Sequence, residues 1–168
     1  MSKMTSRKGE NNILVAYFSR SGNTRLLANQ IHEKVGGGIF EIQPEKPYPA
    51  DYDAAVKLAK EEKESGFRPR LKAKIIDIGS YGFVFLGYPI WWGTFPMPVA
   101  TFLSDYDFSG KTIVPFCTNG GSGLGHSVGD IKRLCQKSTV LEGLAIGDSD
   151  AKNARNRVSK WLQKLEIK

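Results

Sequence analysis

Apolar residues along the chain follow two alternating patterns. Ile13 to Phe18, Phe83 to Gly87 and Thr112 to Cys117 are mostly apolar runs of strand length. Runs without polar alternation are what parallel strands look like when helices cover both faces of their sheet. Between them the apolar spacing changes to three and four residues. Leu27, Ala28, Ile31 and Val35 make one such series, Val99, Phe102 and Leu103 a second, and Val128, Ile131 and Leu134 a third. Ala151, Ala154, Val158, Trp161, Leu162 and Leu165 make the clearest stripe, and each series predicts a helix with one buried face.

Punctuation between these runs completes the outline. Gly36-Gly37-Gly38 stops the first helix and leads into a short strand, Ile39-Phe40-Glu41-Ile42. Asp51 caps a helix running from Tyr52 to about Glu64, with Lys57/Glu61 and Lys60/Glu64 spaced for pairing on its solvated face. Ile75 to Ile78 reads as a turn or a short strand beneath a basic loop. Pro96 and Pro98 fit the first turn of the next helix, another helix spans Ser127 to Gln136, and Val140 to Ile146 carries a fifth strand. The last helix is expected to start near Asp148 or Ser149. Five strands alternating with helices specify an α/β domain with a mostly parallel sheet.

Three loops follow the first, third and fourth strands, and candidate chemistry gathers there. The first is Ser19-Arg20-Ser21-Gly22-Asn23-Thr24, a joint between a buried strand and a helix start. A helix N-terminus presents free N–H groups and the positive end of its dipole, which together hold an anion. Ser19, Ser21, Asn23 and Thr24 add neutral donors, and Gly22 lets the backbone approach the ligand. A nucleoside-triphosphate loop requires Gly-Lys-Ser/Thr opening the helix, and this loop ends in Asn-Thr. A dinucleotide fingerprint requires spaced glycines, and residues 19–24 hold one. The second loop, Pro89-Ile90-Trp91-Trp92-Gly93, leaves two large rings at the same edge. The third, Thr118-Asn119-Gly120-Gly121-Ser122-Gly123, is rich in backbone amides that glycine leaves accessible.

In these loops the chain resembles the flavodoxins, whose phosphate loop reads Thr/Ser-x-Thr/Ser-Gly-Asn-Thr; Ser19 to Thr24 match every defined position. The likeness runs from Ile13 to about Leu165. It implies a three-layer α/β sandwich with a five-stranded parallel sheet in the order 2-1-3-4-5 and helices on both faces. It also implies flavin mononucleotide (FMN) as cofactor, its phosphate on the first loop and its isoalloxazine ring between the other two. Ring stacking falls to Trp91 or Trp92; Trp91 is preferred because it comes first after Pro89-Ile90, but the sequence leaves both open. Thr118, Asn119 and the Gly120–Gly123 backbone are placed at the polar edge of the ring. In the family a second-loop glycine lets a peptide turn over toward flavin N5, and Gly93 is the candidate. Arg20 fills the variable position. Two features depart from the family pattern: the third loop has glycines where many flavodoxins stack a Tyr, and the chain is basic where typical flavodoxins are acidic.

Composition adds limits. A length of 168 residues suits one domain that buries roughly two-thirds of its unfolded surface, expected over 13–168 with residues 1–12 as a flexible tail. A net charge of +7 favours anionic ligands or acidic partners. Its basic residues are scattered, with no nucleic-acid motif, so nucleic acid is not expected as a partner. Neither a secretory leader nor an apolar run of membrane-spanning length is visible, and Cys117 and Cys135 lack disulfide-scaffold or metal-site spacing. A cytoplasmic protein, monomeric or weakly dimeric, is the expectation. His126 lies near the crevice and His32 on the polar side of the first helix. Three functions stay open: an FMN electron carrier between redox partners, an NAD(P)H-dependent FMN reductase acting on quinones or similar small acceptors, and a flavin-free binding module.

Overall fold

The computed structural model describes residues 12–167. The expected tail over 1–12 therefore lies, apart from Asn12, outside the described residues. Strand β1 (Ile13–Tyr17) leads into helix α1 (Asn23–Val35), then β2 (Gly38–Glu41) and α2 (Tyr52–Ser65). They are followed by β3 (Phe83–Pro89), α3 (Met97–Asp105), β4 (Thr112–Asn119) and α4 (Ser127–Leu134). Two short strands, β5 (Thr139–Val140) and β6 (Leu144–Gly147), precede the final helix α5 (Arg155–Lys164). All strand pairs are parallel, in the order β2-β1-β3-β4-β5, with β6 also on β4. This is the flavodoxin-like order expected from the sequence.

Alternation along the central strands divides the core in two. Leu14, Ala16, Val84, Leu86, Tyr88 and Ile113 pack against Val99, Phe102 and Leu103 of α3 and Ile131 of α4. Val15, Phe85, Val114 and Phe116 point the other way, against Leu27 and Ile31 of α1 and Val158 and Leu162 of α5. With β1, β3 and β4 buried on both faces, each large aliphatic side chain contributes about 1.5–3 kcal/mol. Their C-terminal ends, where the three loops emerge, are thereby fixed in position.

Four boundaries differ from the sequence expectations, each for a local reason. The fifth strand, expected as Val140 to Ile146, is broken into β5 and β6. Between the pairs Ile113↔Val140 and Phe116↔Leu144 the outer strand holds one more residue than β4. Lys111 and Ile113 turn their carbonyls to this edge, accepting from Thr139 and Leu141. By alternation Pro115 faces it too, and having no N–H it leaves the outer strand unmatched, where the bulge sits. Residues Asp148–Asn153, expected to open the last helix, form a 3₁₀ turn. The buried Gln30 holds that turn, donating to Ala151 O (2.7 Å) and accepting from Ala154 N (3.1 Å). Helix α4 ends at Leu134 rather than Gln136, because Cys135 leaves helical geometry and drops into the core while Leu134 stays exposed. Residues 75–77 form no strand, Ile78–Ser80 is a 3₁₀ turn, and Ile76 is fully solvated.

Helix α2 carries one buried acid. Glu62 accepts a hydrogen bond from the Tyr48 hydroxyl, and burial raises its pKa more than that bond lowers it. A carboxyl raised on folding contributes stability that is complete below the ordinary carboxylate range and is lost as pH rises through its folded value. Glu62→Gln keeps an acceptor for Tyr48 and removes the titration. In urea unfolding, wild type should lose more stability than this variant as pH rises above the ordinary carboxylate range. Parallel losses would place the buried charge elsewhere.

Candidate functional site

The first loop is built as an anion cradle. Gly22 takes φ 104°, a left-handed value that favours glycine, and precedes the first turn of α1, which holds no acidic residue. The Ser19 hydroxyl accepts from Gly22 N (3.1 Å) and Arg25 N (3.2 Å) and so shapes the turn. The N–H groups of Ser21, Asn23 and Thr24 have no partner among the described residues, which leaves them and the helix dipole for an anion. Arg20 points away from this cradle, and its Nη2 donates to Pro49 O and Ala50 O, each at 3.1 Å. It thereby ties the first loop to the segment that leads into α2.

The second loop is a tight hairpin. Trp91 and Thr94 exchange backbone hydrogen bonds of 2.8 and 3.2 Å, and Trp92 (φ 54°) and Gly93 (φ 84°) between them are both left-handed. Two positive φ values in a two-residue connection mark a type I′ turn. A tryptophan with positive φ is locally unfavourable, and distant contacts hold it. Trp92 Nε1 donates to Val56 O of α2 at 3.2 Å, and the Lys60 ammonium, expected to pair with Glu64, lies 5.3 Å from the centre of the indole. Trp91 meets Phe18 and Tyr48 edge to face, with centroids 5.4 and 5.1 Å away. Gly93 O accepts from His126 N (2.9 Å) while Thr94 N bonds Trp91 O, so the peptide after Gly93 is pinned at both ends. The peptide before it, Trp92–Gly93, has no such partner among the described residues.

In the third loop the Thr118 and Asn119 side chains face inward. Asn119 is buried; its Oδ1 accepts from Gly121 N (2.8 Å) and Gly123 N (3.2 Å), and its Nδ2 donates to Ile146 O. Thr118 is fully buried, its hydroxyl 2.8 Å from that of Thr24 and its carbonyl accepting from Ile90 N. Gly120, Gly121 and Ser122 remain exposed at the tip, with Gly123 half-buried. The Thr118 and Asn119 side chains are therefore bonded within the protein, which a reading of residue types alone does not reveal. Burial pushes the Cys117 thiol beneath them up to about 12, and it stays a neutral core group.

The three loops touch one another directly, through Thr24–Thr118, Ile90–Thr118 and Gly93–His126. Beside them lies a cavity of about 270 Å³ between α2 and the second loop, walled by Tyr52, Val56, Ile90, Trp91 and Trp92 with Arg20 at its edge. Sequence reasoning missed the α2 wall, since Tyr52, Ala55, Val56 and Ala59 read as an ordinary helix face. It also missed Asp130, although a carboxylate four residues after His126 on one helix face was a readable signal. That carboxyl is partly buried, which opposes ionisation, but hydrogen bonds from Thr94, His126 and Arg133 prevail and hold it below the usual range. Among the described residues no helix is long and apolar enough to cross a membrane.

Comparison with known proteins agrees with this fold. The family model described as flavodoxin matches residues 12–165. A protein of Bacteroides eggerthii DSM 20697 assigned as a flavoprotein is 34% identical, with a TM-score of 0.83 over 94% of this chain and 99% of its own. A second, from Bacteroides uniformis ATCC 8492, is 31% identical, with a TM-score of 0.82 over 92% and 99% of the two chains. A Lactobacillus acidophilus NCFM flavoprotein solved in complex with FMN shares the fold, at 23% identity and a TM-score of 0.72 over 90% and 98%. No match was found among curated proteins.

Proposed function

Because the chain belongs to the flavodoxin family, we propose that it binds FMN and passes electrons between redox partners as a single domain over residues 13–168. The observation that carries this reading is the unpartnered, acid-free start of α1, joined through Thr24 and Thr118 to the loop expected at the flavin ring. A terminal phosphate suits the N–H groups of Ser21, Asn23 and Thr24. The aromatic second loop suits the ring, as do the Gly120 and Ser122 amides of the third loop, which have no partner among the described residues. Bound FMN supplies the redox chemistry. The polypeptide's part is to hold the phosphate, present an apolar wall and aim a few polar groups. The Trp92–Gly93 peptide, rather than the one that follows it, is the one free to reorient toward the ring.

A second reading is an NAD(P)H-dependent FMN reductase with a quinone or similar small acceptor. The cavity beside Trp92, with a guanidinium at its edge, favours it by offering space for a flat anionic substrate. Cofactor released by heat should give the mass of FMN, and recovery of mainly FAD would sink the cofactor assignment. For the carrier, NAD(P)H with a quinone should produce no sustained turnover, while a reductase partner plus NADPH should reduce the bound flavin. Sustained turnover without a partner would establish the reductase instead.

A further inference from the structure

His126 opens α4 with its ring against the second-loop hairpin. Its backbone N–H bonds Gly93 O, and a Cβ placed on Gly93 would lie 2.9 Å from its Nε2. A Cβ on Gly125 would come within 2.3 Å of Gly93 O, so the chain reaches this contact only through a glycine. Nδ1 faces Asp130 Oδ2 at 3.1 Å. A carboxylate only accepts, so the proton of that contact sits on Nδ1. The same Oδ2 accepts from the Thr94 hydroxyl at 2.6 Å, and Arg133 pairs with Oδ1. A carboxylate anchored to the second loop thus sets the ring's orientation. Nε2 is left without a protein partner among the described residues, on a side chain that is 62% exposed.

The chemistry around it narrows what Nε2 serves. The third loop supplies no aromatic ring, Asn119 is turned inward, and the Gly121 and Gly123 amides are spent on Asn119. Of the polar side chains after β4 that reach the second loop, Asp130 is engaged by Thr94, His126 and Arg133, whereas His126 keeps Nε2 without a partner among the described residues. We propose that His126 is a ligand contact, its Nε2 meeting the polar edge of the flavin ring beside the Gly93 turn, with Asp130 as the residue that positions it. This rests on reading the three loops as an FMN site. It gives a side chain the work of recognising the ring, separate from the phosphate cradle.

The chain has two histidines, so His32 serves as an internal control. His32 lies near the C-terminal end of α1, where Nε2 meets Gly37 O at 2.9 Å. Imidazole nitrogen NMR of the full-length protein, flavin-free and then saturated with FMN or riboflavin, reads both rings. Both flavins should move the His126 signals and leave those of His32 in place. His126→Ala should weaken FMN and riboflavin by the same factor, about three- to ten-fold, as expected for one lost hydrogen bond. His126→Gln should recover part of that loss. If tryptophan quenching shows tight FMN binding while the His126 signals stay fixed, or His126→Ala binds both flavins at wild-type strength, this contact is wrong and the FMN reading stands. If wild type binds no flavin at all, the FMN reading fails, and this inference with it.

Discussion

Asn23→Asp should raise the FMN dissociation constant on the order of 100-fold and leave riboflavin within about two-fold of wild type. The substitution changes one atom's identity and adds a charge at the first position of α1, beside the N–H groups assigned to the phosphate. Two unit charges about 4 Å apart at an effective dielectric near 20 repel by about 4 kcal/mol, and partial exposure to solvent trims this to about 3 kcal/mol. Riboflavin carries no phosphate and feels none of it. Fold stability should move the other way, since an acid in the first turn of a helix contributes about 0.3–1 kcal/mol. Asn23 is a cleaner choice than Thr24, whose hydroxyl already bonds Thr118 in a buried contact, so that its removal mixes packing with binding. Titrating the flavin-free variant with both ligands by tryptophan quenching gives the comparison. Equal losses would mean that the phosphate sits elsewhere.

Gly87→Ala should cost about 3 kcal/mol of stability, the upper part of the range for overpacking a core. Gly87 lies in β3 opposite Phe116 of β4, and a Cβ there would fall 2.2 Å from two carbons of the Phe116 ring. That ring is fully buried and fills the space a side chain at 87 would claim. Strands on either side hold the backbone, so the ring has nowhere to turn. Phe116→Leu alone should also destabilise, since it removes buried ring volume. Combined with Gly87→Ala, the loss should be about 1–2 kcal/mol smaller than the sum of the two single losses, the size of coupling that contacting residues show in double-mutant cycles. Urea midpoints of the four proteins test it, and strict additivity would mean that the clash is relieved by the backbone.

Some of this architecture was legible because its signals are local. Ile13 to Phe18 followed by Leu27, Ala28 and Ile31 gave a buried strand, a loop and a helix without reference to anything distant. The same held for α3, and for α5 along most of its stripe. The second-loop hairpin was not legible, because a tryptophan at positive φ runs against local preference and is kept there by Val56 O and the α4 start. The contacts of Thr118 and Asn119 were hidden for a similar reason: residue type told of their polar groups, and only packing told that the Thr118 hydroxyl meets Thr24 and the Asn119 amide is bonded within the protein. The break between β5 and β6 is different. Pro115 was in plain view, and the rule that a proline inside a sheet leaves a ladder position unmatched was enough to foresee a bulge beside it.

The Arg20 tether has a consequence for how a ligand would be received. From Arg20 the connection runs through Pro49 and Ala50 to the Asp51 cap, along α2 to Val56, across to Trp92, and back through the second loop to Phe18, whose N–H bonds Gly87 O. That path is a closed circuit around the cavity, and every joint in it is a hydrogen bond or the chain itself. In a closed circuit no single segment drifts without straining its neighbours, so the cavity wall is ordered when the protein folds. The entropy of assembling that wall is then a cost of folding and not of binding. A ligand arriving at the cradle meets a preorganised surface, and more of its contact energy remains as affinity.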